Sequence, residues 1–159
     1  MTTSFPLTIL YAQIAVFEPH LENPFNEWSR RHYNQAFSWR LGCVSFRTLD
    51  EGGSAEVEVA YERSFVLSPQ TTRAIGVPFR ITGSRGVIIA SIGDEQNTYV
   101  PPGEYSLIYE AFSASHEVIR IRLTFVEGPA AEPKILVADE GMHPEYPLLM
   151  EARPATLAF

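Results

Sequence analysis

Ala55-Glu56-Val57-Glu58-Val59-Ala60-Tyr61 decides how this chain folds. Val57, Val59 and Tyr61 share one parity, and Glu56 and Glu58 share the other. Successive strand residues point to opposite faces, so the stretch reads as a half-exposed antiparallel strand with its valines inward and its carboxylates in water. Val118 to Val126 repeats the pattern, with Ile119, Ile121, Leu123 and Phe125 inside and Arg120 and Arg122 outside.

Turn chemistry separates further strands. Asp50-Glu51-Gly52-Gly53-Ser54 lies between Val44–Leu49 and Ala55–Tyr61 and reads as a hairpin turn. Thr82 to Gly86 reads as a second hairpin, joining Ile75–Ile81 to Val87–Ile92. Pro101-Pro102-Gly103 turns the chain before Glu104–Phe112, and Ile135–Ala138 forms a short last strand. Leu7–Phe17 carries apolar side chains on both parities, which predicts one central strand covered on both sides. Asn23-Pro24 has the chemistry of a helix start, and Phe25, Trp28, His32, Ala36 and Trp39 come after it at helical spacing. That spacing predicts one helix from Pro24 to Trp39, ended by Gly42 and lying on a sheet, with Trp28 and Trp39 packed against it. The fold class expected is mostly β, an antiparallel sandwich or barrel-like fold with one helix on it.

The 159 residues suit a single domain, 1–159, of which 139–159 read as an extended, partly ordered tail because prolines interrupt it and few positions are periodic. Apolar types are 45% of the chain, ample for a packed core. The formal charge of -7 repels phosphate backbones, which argues against direct nucleic-acid binding and suits a basic protein partner. Moderate acidity also simply keeps a protein soluble. A single cysteine, Cys43, excludes an internal disulfide and fits a reducing cytoplasm. Within Gly42–Phe46 it reads as a buried small hydrophobe. Met1–Pro6 lacks the basic start of a secretory signal, and no apolar run nears the roughly 20 residues of a membrane span.

No catalytic, cofactor or metal constellation stands out. His20, His32, His116 and His143 share no metal-ligand spacing; His32 falls on the apolar helix face, while His20 and His116 fall in loops. Ser45, Ser64 and Ser91 lack a nucleophile-elbow context. The Gly83 stretch is no phosphate loop, since no helix or Gly-Lys-Ser/Thr comes after it. Two features point to binding instead. Phe25 to Trp39 holds more aromatics than one buried stripe needs, which leaves Tyr33 or Phe37 for an exposed anchor. Acids cluster near turns, at Asp50 with Glu51, Glu56 with Glu58, and Asp94 with Glu95. They form either a solvated edge or a surface that imitates a phosphate backbone inside a basic cleft.

A string of motifs then becomes specific. Tyr11-Ala12-Gln13, Val16-Phe17, Asn23-Pro24, Trp28, Gln35–Arg40, Val44-Ser45-Phe46, Ile75–Phe79 and Pro101–Tyr105 occur in an order and spacing that resembles the competence protein J family. The likeness covers roughly Leu7 to Phe112, with Gln35-Ala36 standing where the family pattern has Gln-Gly. The resemblance implies an immunity-type inhibitor that binds and silences a non-specific DNA nuclease, with no catalytic residues of its own. On that expectation the partner-binding residues are Asp50, Glu51, Glu56, Glu58, Asp94, Glu95 and Tyr33, and the partner is a basic nuclease. The alternative expectation is a β-sandwich module that binds a sugar or small molecule in a concave aromatic pocket.

Overall fold

A computed structural model of the chain describes residues 2–113, 118–129 and 132–156. Its strands are β1 (Thr2–Ile9), β2 (Gln13–Phe17), β3 (Phe37–Arg40), β4 (Cys43–Arg47), β5 (Gly53–Glu62), β6 (Thr71–Ile81), β7 (Val87–Ser91), β8 (Asp94–Thr98), β9 (Gly103–Phe112), β10 (Ile119–Glu127) and β11 (Lys134–Val137), with α1 (Arg30–Gln35) between β2 and β3. Six strands form one sheet, in the order β1-β5-β10-β9-β6-β11, and five form the other, in the order β3-β4-β2-β7-β8. The expected mostly-β sandwich with one helix is what forms.

Period-two alternation builds the core. Val57, Val59, Ile121, Leu123, Leu107 and Val77 from the first sheet meet Ile14, Val16, Val44, Phe46 and Ile89 from the second in one buried cluster. Phe46 and Tyr109 stack across that core, with ring centres 4.7 Å apart and planes 6° from parallel. The second sheet is apolar on its outer face too, where Ala15, Phe17, Cys43, Ile88 and Ala90 lie under Leu21 and Phe25. Cys43 is buried as expected, and burial pushes its thiol up. The expected inward residues Val57, Val59, Ile119, Ile121 and Leu123 are all buried. The pairing is not antiparallel throughout, because β10 runs parallel to β5 while antiparallel to β9.

Five local expectations are corrected. Asp50–Ser54 is no hairpin turn, because it carries the chain from β4 in the second sheet to β5 in the first. Leu7–Phe17 is not one strand. It turns at Leu10–Ala12, so β1 joins the first sheet and β2 the second. The turn also explains the double parity: odd residues Phe5, Leu7 and Ile9 face the core before it, and even residues Ile14 and Val16 face the core after it. The helix does not run from Pro24 to Trp39. Asn23 and Phe25 have φ of 52° and 78°, values that interrupt a right-handed helix, and Ser29 caps a helix of six residues. Asn26 holds the preceding loop irregular, donating from one buried amide to the Ser38 and Cys43 carbonyls at 2.7 and 3.1 Å. Phe37–Arg40 is therefore a strand; Phe37 is fully buried, and Gly42, at φ 86°, turns β3 into β4 instead of ending a helix. Thr82–Gly86 is no hairpin either. It carries the chain from β6 in the first sheet to β7 in the second, pinned by the buried carboxylate of Glu18, which accepts from Thr82 N–H (2.9 Å), Gly83 N–H (2.8 Å) and the Thr82 hydroxyl (2.9 Å).

Among the described residues, no helix is long and apolar enough to cross a membrane. Trp39 packs on the core with its indole N–H donating to Pro78 O (2.8 Å), whereas Trp28 is only half-buried and lies edge-on to His32.

After β11 the chain crosses back over α1. Asp139 reaches Arg73, the His143 amide donates to Asn34 O (2.9 Å), and Leu149 exchanges two hydrogen bonds with the Gln35 side chain. His32 bonds through Nε2 to Glu151 O (2.7 Å), and Ala155 N–H donates to Phe25 O.

Candidate functional site

Two short segments deliver aromatic side chains to one patch of surface. Tyr11 sits on the turn between β1 and β2 and is 73% exposed. Tyr11 and Ala12 both have positive φ, 56° and 54°, in a two-residue turn that glycine and asparagine normally occupy. The turn is zipped to the β4–β5 loop, because Ala12 N–H donates to Glu51 O (2.7 Å) and Thr48 N–H donates to Ala12 O (2.9 Å). That zipper puts Asp50 and Glu51, both exposed, beside Tyr11.

Tyr33 comes from α1 and is 54% exposed. Ala36 ends the helix in the left-handed region, φ 68°, and donates its N–H to Tyr33 O (3.2 Å). Arg47, at the end of β4, lies with its guanidinium carbon 4.0 Å from the Tyr33 ring centre and donates from Nε to Tyr33 O (3.0 Å). Burial first, and the neighbouring Arg73 second, pull the Arg47 guanidinium below its ordinary value, yet it stays charged at neutral pH. Two adjoining clefts open here. One, of about 240 Å³, is lined by Tyr11, Gln13, Trp28, Tyr33 and Arg47. The other, of about 420 Å³, runs from Tyr11 and Tyr33 past Arg47 and Leu49 to Asp50 and Glu51. Arg47 already covers one face of Tyr33, so the aromatic floor suits a side chain packed on its open surface, and the carboxylates on its rim suit a cationic side chain from a protein partner.

The other expected residues lie elsewhere. Glu56 and Glu58 stand on the outer face of the first sheet, opposite Arg120 and Arg122 in the parallel β5–β10 register. Glu58 pairs with Arg122 at 3.4 Å, and Arg122 also reaches the fully buried Glu110 at 3.5 Å. Among the described residues this face alternates charge and offers no continuous acidic track. Asp94 and Glu95 begin β8, where the Asp94 carboxylate accepts the Thr8 amide (2.8 Å) and so closes the outer edge of β1. They border a wide cleft of about 760 Å³ floored by Phe17, Leu21, Phe25 and Ile88.

Thus Tyr33, Asp50 and Glu51 converge, while Glu56 with Glu58 and Asp94 with Glu95 form separate places. Sequence reasoning missed Tyr11, Trp28 and Arg47 as partners of Tyr33. Trp28 was visible in the aromatic cluster, but nothing local announces a turn at Tyr11-Ala12. Among the histidines, His32 is buried and capped into α1 by Ser29, His20 and His143 are exposed, and His116 lies outside the described residues. Among the described residues no group of three His, Cys, Asp or Glu side chains is placed to hold a metal ion.

The sequence model described as competence protein J matches residues 6–126. The fold is similar to a solved structure described as ComJ, inhibitor of the DNA degrading activity of NucA, from Bacillus subtilis. The TM-score is 0.66 at 20% identity, over 80% of this chain and 99% of that one, a likeness of fold. Comparison with curated proteins gives no match.

Proposed function

The chain belongs to the competence protein J family, and from that premise we propose that it binds a non-specific DNA nuclease and blocks it, acting as a binding protein and not as an enzyme. The observation that carries the reading is family membership together with a shared fold, since the solved relative is an inhibitor of NucA. The site adds its chemistry. A nuclease that holds DNA lines its cleft with Lys and Arg. The groove of Tyr11, Trp28 and Tyr33, rimmed by Asp50 and Glu51, offers aromatic faces and carboxylates to such side chains. The chain's charge of -7 favours the same partner over DNA itself. The compartment proposed is the cytoplasm, where a single buried cysteine stays reduced.

A plasmid-degradation assay tests this. NucA from Bacillus subtilis, and the nuclease of the chain's own host, are titrated with the purified chain. Stoichiometric loss of DNA cleavage against either enzyme is the expected outcome. Unchanged cleavage by both at saturating chain contradicts the reading.

A further inference from the structure

We infer that the segment from Asp139 to Ala155 is a strap that holds the Tyr33 surface in its binding-ready form. This rests on the reading of that surface as the nuclease contact.

The family match ends at Val126, before the strap begins. The strap's apolar residues follow no period, but Met142 is buried in the core with Leu148 and Met150 packed against it, and hydrogen bonds tie the segment down at several points along its length. The strongest tie is at its root. Arg73 is almost fully buried, and its guanidinium is met by both Asp139 oxygens, at 2.6 and 2.9 Å. A buried cation needs such a partner, so the Asp139 turn is fixed in place. Two residues on, Gly141 O accepts from the Arg47 guanidinium at 2.8 Å.

Arg47 is thus held from two sides, by the strap carbonyl and by the Tyr33 carbonyl, and its cationic plane lies on the Tyr33 ring. An aromatic ring has two faces. With Arg47 on one, the ring is immobilised and the other is presented outward at little entropic cost on binding. The far end of the strap fixes the helix that carries Tyr33. Gln35 donates to Leu149 O (2.9 Å) and accepts from Leu149 N–H (2.9 Å), the two-point recognition of an extended backbone. The strap therefore anchors both the helix beneath Tyr33 and the cation against it. It is a positioning element and need not touch the nuclease.

The experiment uses the full chain and the double variant Gln35→Ala with Asp139→Asn. On the free proteins, amide exchange at His143 and Leu149 reports the strap, and NMR signals of the Tyr33 ring and the Arg47 Nε–H report the surface. Expected are exchange at least about tenfold faster in the variant, shifted Tyr33 and Arg47 signals, and a NucA complex that dissociates about tenfold faster with association nearly unchanged. A released strap with unmoved Tyr33 and Arg47 signals and unchanged dissociation overturns the inference. If the double variant does not fold, the wild type decides: NucA binding must slow exchange at His143, and unaltered exchange overturns the inference. Failure of the wild type to bind NucA would count against the functional reading alone, because the free-protein signals test the strap independently.

Discussion

Glu18 shows how much one side chain can hold. Burial by itself would raise its pKa, but the Gly83 amide and the Thr82 amide and hydroxyl together outweigh that and hold the carboxyl below its usual range. Asp139 behaves alike, with burial opposed by the Arg73 guanidinium. Both folded values lie below the unfolded ones, so their stabilisation is complete above about pH 4.3 and is lost as pH falls through the lower folded values. Glu18→Gln should therefore cost about 1–3 kcal/mol at neutral pH. The gap between variant and wild type should narrow towards about pH 3, because protonation removes the wild-type advantage. Urea unfolding at both pH values checks this; a gap of equal size at both contradicts the assignment. No local pattern makes this tie legible in the sequence, since Glu18 and Thr82 lie 64 residues apart.

At the scale of elements, the legible parts were those where neighbours in sequence are neighbours in space. Alternation in Ala55–Tyr61 and Ile119–Phe125 reported the buried face correctly, because a strand's own parity sets it. The false helix came from a coincidence of spacing. Phe25, Trp28, His32, Ala36 and Trp39 repeat near every fourth residue, yet distant partners decide their structure, with Asn26 bonded to Ser38 and Cys43. The β1–β2 turn was invisible for the opposite reason. Tyr11-Ala12 occupies left-handed backbone without glycine or asparagine, a strain that tends to persist where function requires the side chain. Replacing Tyr11-Ala12 by Asn-Gly should raise stability by about 1 kcal/mol, the left-handed cost exceeding the extra chain entropy of glycine. The same variant should weaken nuclease binding. Thermal unfolding and binding measured side by side check the pair; a variant neither stabler nor weaker in binding contradicts the argument. Ala36 is a different case. It is also left-handed, but it buries its methyl completely. That burial, at about 0.8 kcal/mol, offsets much of the strain, so Ala36→Gly should leave stability within about 1 kcal/mol of wild type.

At the scale of the whole molecule, the sequence placed acids correctly on turns and strand faces but not relative to one another. Sheet order decided which would gather. Glu58 fell opposite Arg122, and Asp94 was drawn onto the β1 edge, leaving Asp50 and Glu51 beside Tyr11 and Tyr33. If that patch is the contact, its charges and its rings should act on different rates. Rim carboxylates steer encounter and are screened over about 8 Å at physiological salt, whereas a desolvated ring acts through dissociation. The most direct measurement is binding kinetics against the immobilised nuclease over a salt series. It compares wild type, Tyr33→Ala, Asp50→Lys with Glu51→Lys, and Glu56→Lys with Glu58→Lys. Tyr33→Ala should speed dissociation by about thirtyfold, equivalent to roughly 2 kcal/mol. The Asp50–Glu51 reversal should slow association most at low salt, and the Glu56–Glu58 reversal should do much less. Equal effects from both reversals, or dissociation untouched by Tyr33→Ala, would contradict this patch as the contact.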